Sequence, residues 1–413
     1  MLSIFKKLLL SITKDFRLII GNYFNQIASV LFGIYIAEKI LPESYGVFGL
    51  MILLITYLKF LNFGAQFTIN RRLSIRKNSP AALSYLKLNI LIFPFFAALI
   101  LIILKYFDFF PELNSYYIYM WVFLSFDNIY QLLQGFLRAR DRSKQLGHSK
   151  FLIGLVIFIL LIYFLNWEEK SNPIPLLVKH VLAPVAGLFY FLSIKSVRDV
   201  LIYRIKIKIS VLKYFLAEGL ALGIYVFMQD FLASIDRLFI ALNYSIYDLG
   251  IYSFAMSLSG PIMLILSTII FMDYSRNMNA FNNINKLDFY NLNLEITKKL
   301  ISLFILIVLF SIPVIYLLLN FYLLEYKLAF PLIVLMLLGN ISVPLSFSYS
   351  LYFISNKMTN ILVKILLFGL CFNLLFNSLI LYYELSYVFL ICTTVLTKFC
   401  IYVIMRFKLK KII

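Results

Sequence analysis

Negative charge is scarce in this chain, and so is charge of any kind. Among 413 residues there are 19 Asp and Glu, and charged residues together make up 14%. A soluble domain carries about a quarter charged residues, so an ordinary water-facing surface is excluded. Cysteine and histidine are scarcer still. Cys371, Cys392 and Cys400 form no C-x-x-C pair, and His148 and His180 stand apart. Neither a metal site nor a disulfide framework is expected from such spacing, and no cofactor is expected. The absence of G-x-x-x-x-G-K-[ST] excludes ATP hydrolysis by a P-loop.

Apolar sequence is abundant: 62% of the residues are hydrophobic. They gather into twelve stretches of helix length, over residues 18–38, 46–67, 86–106, 114–137, 150–166, 174–194, 213–241, 249–273, 297–320, 327–350, 358–382 and 386–406. About 20 apolar residues cross the hydrocarbon core of a bilayer. Twelve such spans consume nearly the whole chain and leave no room for a soluble domain of ordinary size. The expected class is an all-α polytopic membrane protein with twelve transmembrane helices.

The net charge of +19 reflects topology and not nucleic-acid binding. Lys and Arg concentrate in every second gap between the apolar stretches. The rich gaps hold Arg71, Arg72, Arg76 and Lys77, then Arg138 to Lys150, then Lys195 to Lys213, then Arg276 to Lys299, then Lys357 and the tail from Arg406. The alternate gaps are short and acidic or neutral, as at Glu38–Glu43 and Asp108–Glu112. Positive charge stays on the cytoplasmic side during insertion, so both termini are expected inside, with anionic lipid headgroups as contacts. Residues 1–17 mix Lys6, Lys7, Lys14 and Arg17 with apolar residues and read as a short helix lying on the inner surface.

A weak internal repeat divides the spans. Ile36-Ala37 and Gly46-Val47-Phe48 recur as Ile240-Ala241 and Gly250-Ile251-Tyr252, and Asn25-Gln26 falls opposite Gln229-Asp230, each at an offset of 204. Both halves start on the same side, so the repeat is parallel. The expected organisation is an interfacial helix over 1–17 and two six-helix bundles over 18–208 and 209–413. Transporters built from such halves bind substrate between them.

Polar residues inside the spans fall on lines. With about 100° per residue, Asn22, Gln26, Ser29 and Gly33 align in the first span. In the second, Lys59, Gln66 and Asn70 align, with Asn62 close by; in the fourth, Asp127, Gln131, Gln134 and Arg138 align. In the seventh, Glu218, Tyr225, Gln229, Asp236 and Asn243 share one line, and Asp230 and Arg237 share another. Such residues either line a wet cavity or hold helices together. Asp127 and Glu218 are candidate proton or sodium sites, or neutral buried carboxyls. Asp236 and Arg237 are a local pair or a bridge. Breaks or kinks are expected at Gly260-Pro261, Pro313, Pro331 and Pro344.

Two segments carry a family likeness. Pro42-Glu43-Ser44-Tyr45-Gly46-Val47-Phe48 resembles the Pro-x-x-Tyr-Gly-x-Phe turn of bacterial polysaccharide flippases. Asp236-Arg237, followed by Gly250-Ile251-Tyr252, resembles their Asp-Arg segment and the Gly-x-Tyr beyond it. The likeness covers the whole chain, within the wider multidrug/oligosaccharidyl-lipid/polysaccharide exporter superfamily. It implies a translocase, not an enzyme, that moves undecaprenyl-pyrophosphate-linked oligosaccharide from the inner to the outer leaflet of the cytoplasmic membrane, coupled to an ion gradient. Lys59 and Arg237 become the candidates to meet pyrophosphate inside, with Arg71, Arg72 and Arg138 at the entrance. Asn25, Gln26, Gln66 and Gln229 are polar contacts for the cargo, and Asp127, Glu218, Asp230 and Asp236 are ion-coupling candidates. Implied partners are the lipid-linked oligosaccharide, membrane lipid, a polysaccharide polymerase and a chain-length regulator. The rivals are a drug/cation antiporter of the same superfamily, which would want acids deep in the first helix, a lipid II flippase, which would want fourteen spans where this chain has twelve, and a membrane polymerase, which would want larger outer loops.

Overall fold

The computed structural model describes the backbone of residues 2–76, 79–204, 208–281, 286–356 and 358–412, and side chains for these except 2–15, 75, 221–222, 262, 264–265, 267–280, 286–287, 359 and 411–412. Lys77, Lys206 and Lys357 of the expected inner gaps therefore lie outside the described residues, as do the side chains of Arg276, Lys286 and Lys411. Every regular element among the described residues is helical. The chain divides into two compact units, residues 1–40 with 50–227 and residues 41–49 with 228–413.

The first unit holds α1 (Leu2–Lys39), the later part of α2 (Pro42–Leu58), α3 (Ala65–Ile75), α4 (Pro80–Tyr106) and α5 (Tyr117–Ala139). It continues with α6 (Ser143–Tyr163), α7 (Ile174–Ser193), α8 (Lys195–Ile202) and the first half of α9 (Ile209–Asn243). Bilayer helices gain little from hydrophobicity against one another and associate where small residues let backbones close. α1 and α6 meet in this way: Gly21 faces the backbone of Gly147, and a Cβ on Gly154 would stand 2.8 Å from the Cα of Asn25. Helix α1 runs from Leu2 to Lys39 without a break, so no helix end sets off the segment expected to lie on the surface.

The expected second span is interrupted. Helix α2 ends at Leu58, a 3-10 turn covers Lys59–Asn62, and Phe63 and Gly64 take left-handed conformations with φ of 50° and 68° before α3 begins. Glycine adopts that conformation without a Cβ clash. The side chain of Asn62 secures the break by accepting from the Gly64 N–H at 2.9 Å. Gly64 also lies against Gly219 and Gly223 of α9, with a Gly64 Cβ meeting the Gly223 nitrogen at 3.0 Å. Lys59, Gln66 and Asn70 thus do not share one continuous helix, which corrects the alignment read from sequence.

The second unit holds the start of α2, the end of α9, α10 (Ile246–Phe281), α11 (Lys286–Phe321), α12 (Ala329–Gly339), α13 (Ser342–Ser355), α14 (Thr359–Tyr382) and α15 (Val388–Ile412). Here the repeated strings pack on each other. A Cβ on Gly46 would strike the carbonyl of Ile246, and one on Gly250 would strike the carbonyl of Pro42. The offsets 246 − 42 and 250 − 46 both equal 204, so the contact is reciprocal across the repeat. Tyr45 fixes the same corner: its hydroxyl donates to Ser257 Oγ at 2.9 Å, and its ring meets Phe254 and Tyr326 edge-on at 5.6 and 5.9 Å. The Pro-x-x-Tyr-Gly-x-Phe segment is therefore a packing device.

Prolines behave unevenly. Helices α10 and α11 pass through Pro261 and Pro313. The interruption of the tenth expected span falls at Asn340-Ile341, between α12 and α13. Pro331 and Pro344 occupy first turns, where the missing N–H costs no helical hydrogen bond.

Ten helical segments among the described residues are long and apolar enough to cross a membrane. They correspond to the expected spans except the fourth and eighth. Those two map onto α5, 23 residues long, and α10, 36 residues long. Helix α5 falls short in apolarity because Asp127, Gln131, Gln134 and Arg138 punctuate it.

Candidate functional site

Each unit contains a cavity whose walls carry ionisable groups. In the first, a cavity of about 240 Å³ opens between α3 and α5. Helix α3 presents Gln66 and Asn70, four residues apart and so on one face. Helix α5 presents Asp127, Gln131, Gln134 and Arg138, and α6 adds Lys150. Tyr130 forms a fixed wall, stacked on Phe191 of α7 at 5.1 Å with Lys150 Nζ 5.2 Å from its ring centre.

At this cavity the break in the second span acquires a use. Releasing the chain from helical geometry at Lys59 lets its ammonium reach Asp127 Oδ2 at 2.8 Å. Gln131 donates to the same oxygen at 2.7 Å. Asn62 Nδ2 reaches Asn128 Oδ1 at 3.4 Å, tying the break to α5. The Lys59 side chain is 36% exposed and Asp127 15%, so the pair keeps access to water. Nearby on α7 lie two groups the sequence reading left unassigned. Lys179 donates to the Ser29 carbonyl at 3.4 Å and sits 5.4 Å from the Phe32 ring; His180 meets Phe123 edge-on at 5.7 Å. Lys59 lies 5.7 Å from that same Phe123 ring. Lysine and histidine were visible in the sixth span, but only the shared Phe123 ring brings His180 to Lys59.

Glu218 of α9 is the centre of a second cluster. Arg72 donates to its Oε2 through Nε at 2.8 Å and Nη2 at 2.7 Å, and Arg71 donates to Oε1 at 3.0 Å. Arg72 also donates to the Tyr214 hydroxyl at 2.7 Å. The Glu218 carboxylate holds the Arg72 guanidinium above its ordinary pKa. Arg71, Arg72 and Glu218 thus converge, whereas Arg138 stands exposed at the α3–α5 cavity.

In the second unit a cavity of about 420 Å³ is walled mainly by Met256, Met263, Met336 and Ile391, with Asp236 and Lys398 as its charged members. Lys398 donates to Asn340 Oδ1 at 3.2 Å, beside the α12–α13 break. Asp236 is buried and accepts from the Tyr252 hydroxyl and from the Arg237 backbone N–H, the latter at 3.0 Å. The Arg237 guanidinium turns instead to Met256 Sδ, and no ion pair joins it to Asp236 among the described residues. Gln229 and Asp230 are exposed on α9. Asn25 and Gln26 are half-buried on α1, Asn25 against Gly154 of α6. Asn373 and Asn377, fully buried on α14, form a ladder with Thr394 and Thr397. Their spacing of four residues was legible, but not their partners.

The comparisons with known proteins agree on the fold. A family model described as "Polysaccharide biosynthesis protein" matches residues 13–273. No curated protein matches the sequence. Among solved structures, an inward-facing multidrug resistance MATE family transporter of the MOP superfamily superposes with a TM-score of 0.70 at 14% identity, covering 96% of this chain and 98% of the other. The lipid II flippase MurJ, in an inward closed conformation, gives 0.70 at 14% identity, covering 95% and 87%. The eukaryotic MATE transporter AtDTX14 gives 0.61 at 12% identity, covering 96% and 94%. The chain is therefore a multi-pass membrane protein with the fold shared by these transporters.

Proposed function

The chain belongs to the polysaccharide biosynthesis protein family, and from that premise we propose that it is a flippase for lipid-linked oligosaccharide. Its cargo is an oligosaccharide repeat unit on undecaprenyl pyrophosphate, carried from the inner to the outer leaflet of a bacterial cytoplasmic membrane. Both termini lie in the cytoplasm on this reading, as the alternation of basic gaps requires. No covalent bond changes. The lipid tail stays in the bilayer while the polar head crosses.

The observation that carries the reading is the Lys59–Asp127 pair at 2.8 Å beside a polar cavity, in a chain of this family. A pyrophosphate leaving water needs cations. Lys59 supplies one that is partly hydrated and held by a single carboxylate. Arg138 stands at the same cavity, and Arg71 and Arg72 pair with Glu218. Arg237 is the candidate cation of the second unit. Asp127, Glu218, Asp230 and Asp236 are the carboxylates assigned to the coupling ion, in antiport with the cargo. A polymerase and a chain-length regulator are the partners expected downstream.

Transport in proteoliposomes tests this directly. The purified chain should move a defined undecaprenyl-pyrophosphate oligosaccharide across the bilayer, faster under an imposed proton or sodium gradient. Transport of a cationic dye with no movement of the lipid-linked sugar would overturn the reading in favour of a drug/cation antiporter.

A further inference from the structure

Two groups of amide side chains contrast in this protein. Asn62 meets Asn128, and Asn373 meets Thr394 and Thr397; these are helix-to-helix ties, made where bilayer helices need them. Gln66, Asn70 and Gln134 differ. All three face the α3–α5 cavity, and their side chains hydrogen-bond to no protein group among the described residues. All three are half-buried and open to the cavity, so their donors and acceptors are hydrated there, and a polar ligand can replace that water without breaking a protein hydrogen bond.

From this we propose that the α3–α5 cavity is a saccharide subsite, which takes one pyranose ring of the cargo and sets which sugar is moved; the inference rests on the flippase reading. Each amide offers two donors and a carbonyl acceptor, which suits adjacent hydroxyls that both donate and accept. A phosphate, which only accepts, has no use for the three amide carbonyls or for Asp127. Asp127 is fixed as a directional acceptor by Lys59 and Gln131. Phe67 and Tyr130 supply apolar wall for the ring's C–H face. Gly135 leaves room: a Cβ there would meet nothing closer than the Gln66 carbonyl, at 3.7 Å. Arg138 and Lys150 stand at the same cavity and would also attract a phosphate, so the test must separate sugar from phosphate.

The full chain in lipid nanodiscs is titrated with methyl glycosides of glucose, galactose, N-acetylglucosamine and glucuronic acid, and separately with inorganic pyrophosphate, and saturation-transfer NMR reads the binding. At least one glycoside should bind, and Gln134→Leu and Asn70→Leu should each weaken it by about tenfold, the effect of one lost hydrogen bond, while pyrophosphate binding stays as in the wild type. Gly135→Ala, which folds without strain, should change the ranking of the sugars. Absence of glycoside binding to the wild type, or glycoside binding unchanged in all three variants, overturns the subsite, and so does loss of pyrophosphate binding alone. Flipping by the same proteins distinguishes the two levels. A wild type that moves no lipid-linked oligosaccharide removes the flippase reading. A wild type that moves it, with Gln134→Leu and Gly135→Ala moving every cargo at the same rate, removes only the subsite.

Discussion

Arg72 closes on Glu218 with two donors, Nε and Nη2, directed at one carboxylate oxygen. The carboxylate is 11% exposed and Arg72 29%, whereas Arg71 on the other oxygen is 61% exposed. Removing one partner of a shielded pair leaves the other under-solvated. Arg72→Ala should therefore lower stability by about 2 kcal/mol, in the range for hydrogen bonds to charged groups. Arg71→Ala should cost about 0–1 kcal/mol, as exposed ion pairs do. Thermal unfolding in detergent, run as a double-mutant cycle with Glu218→Gln, measures both; equal losses for the two arginines would contradict the geometry.

Gly46 and Gly250 lie too close to carry a methyl group on either side. Gly46→Ala and Gly250→Ala should each destabilise by about 1–3 kcal/mol, the usual cost of overpacking. The double substitution should be no milder, since each methyl meets a different carbonyl. Gly33→Ala, inside helix α1 where an added Cβ meets nothing within 4 Å, is the control and should not lower the unfolding temperature.

Much of the helical architecture was legible in the amino-acid pattern because a bilayer forces backbone polar groups to be satisfied within helices. Ten of the twelve apolar stretches correspond to helical segments, two of them interrupted, that are long and apolar enough to cross a membrane. The break at Lys59–Gly64 was not legible. Hydropathy runs smoothly through it, and only the left-handed Phe63 and Gly64, with the Asn62 side chain folded back, reveal it. The polar lines located the residues of the α3–α5 cavity, Asp127, Gln131, Gln134, Gln66 and Asn70. They could not say that Glu218 belongs to Arg72, because a helical line gives the face of one helix and nothing of its neighbour. Lys179, Lys398 and Asn340 escaped for the same reason.

Lys59 and Asp127 neutralise each other. Lys59→Ala leaves the carboxylate with Gln131 alone, and Asp127→Asn leaves the ammonium without its counter-ion. Each single variant should lose stability by about 1–3 kcal/mol. The double Lys59→Ala/Asp127→Asn should recover most of that loss, because no uncompensated charge remains. If Lys59 serves cargo, surface polysaccharide stays absent in the double variant despite normal protein levels. Recovery of both would assign the pair to stability alone.

Asn373 serves three neighbours at once, donating to Thr394 at 3.1 Å and Thr397 at 3.3 Å and accepting from Asn377 at 2.8 Å. Asn373→Leu should cost about 1–2 kcal/mol, taking about 0.6 kcal/mol for each interhelical bond in lipid. Asn373→Asp tests the acceptor side, since it keeps the bond from Asn377. Unfolding temperatures of the two variants should differ, and identical values would show that the Asn373 carbonyl, which accepts from Asn377, contributes nothing.

The short segment 41–49 belongs with residues 228–413, and residues 209–227 belong with the earlier part of the chain. Severing the polypeptide after residue 208, the midpoint suggested by the duplication, would strip each fragment of a piece its own core needs. Neither fragment alone should be protease-resistant, and co-expressing the two should restore what separate expression cannot. Each unit is completed by chain from the other side of residue 208, so the two are interleaved along the sequence and neither is a contiguous stretch that could be excised whole.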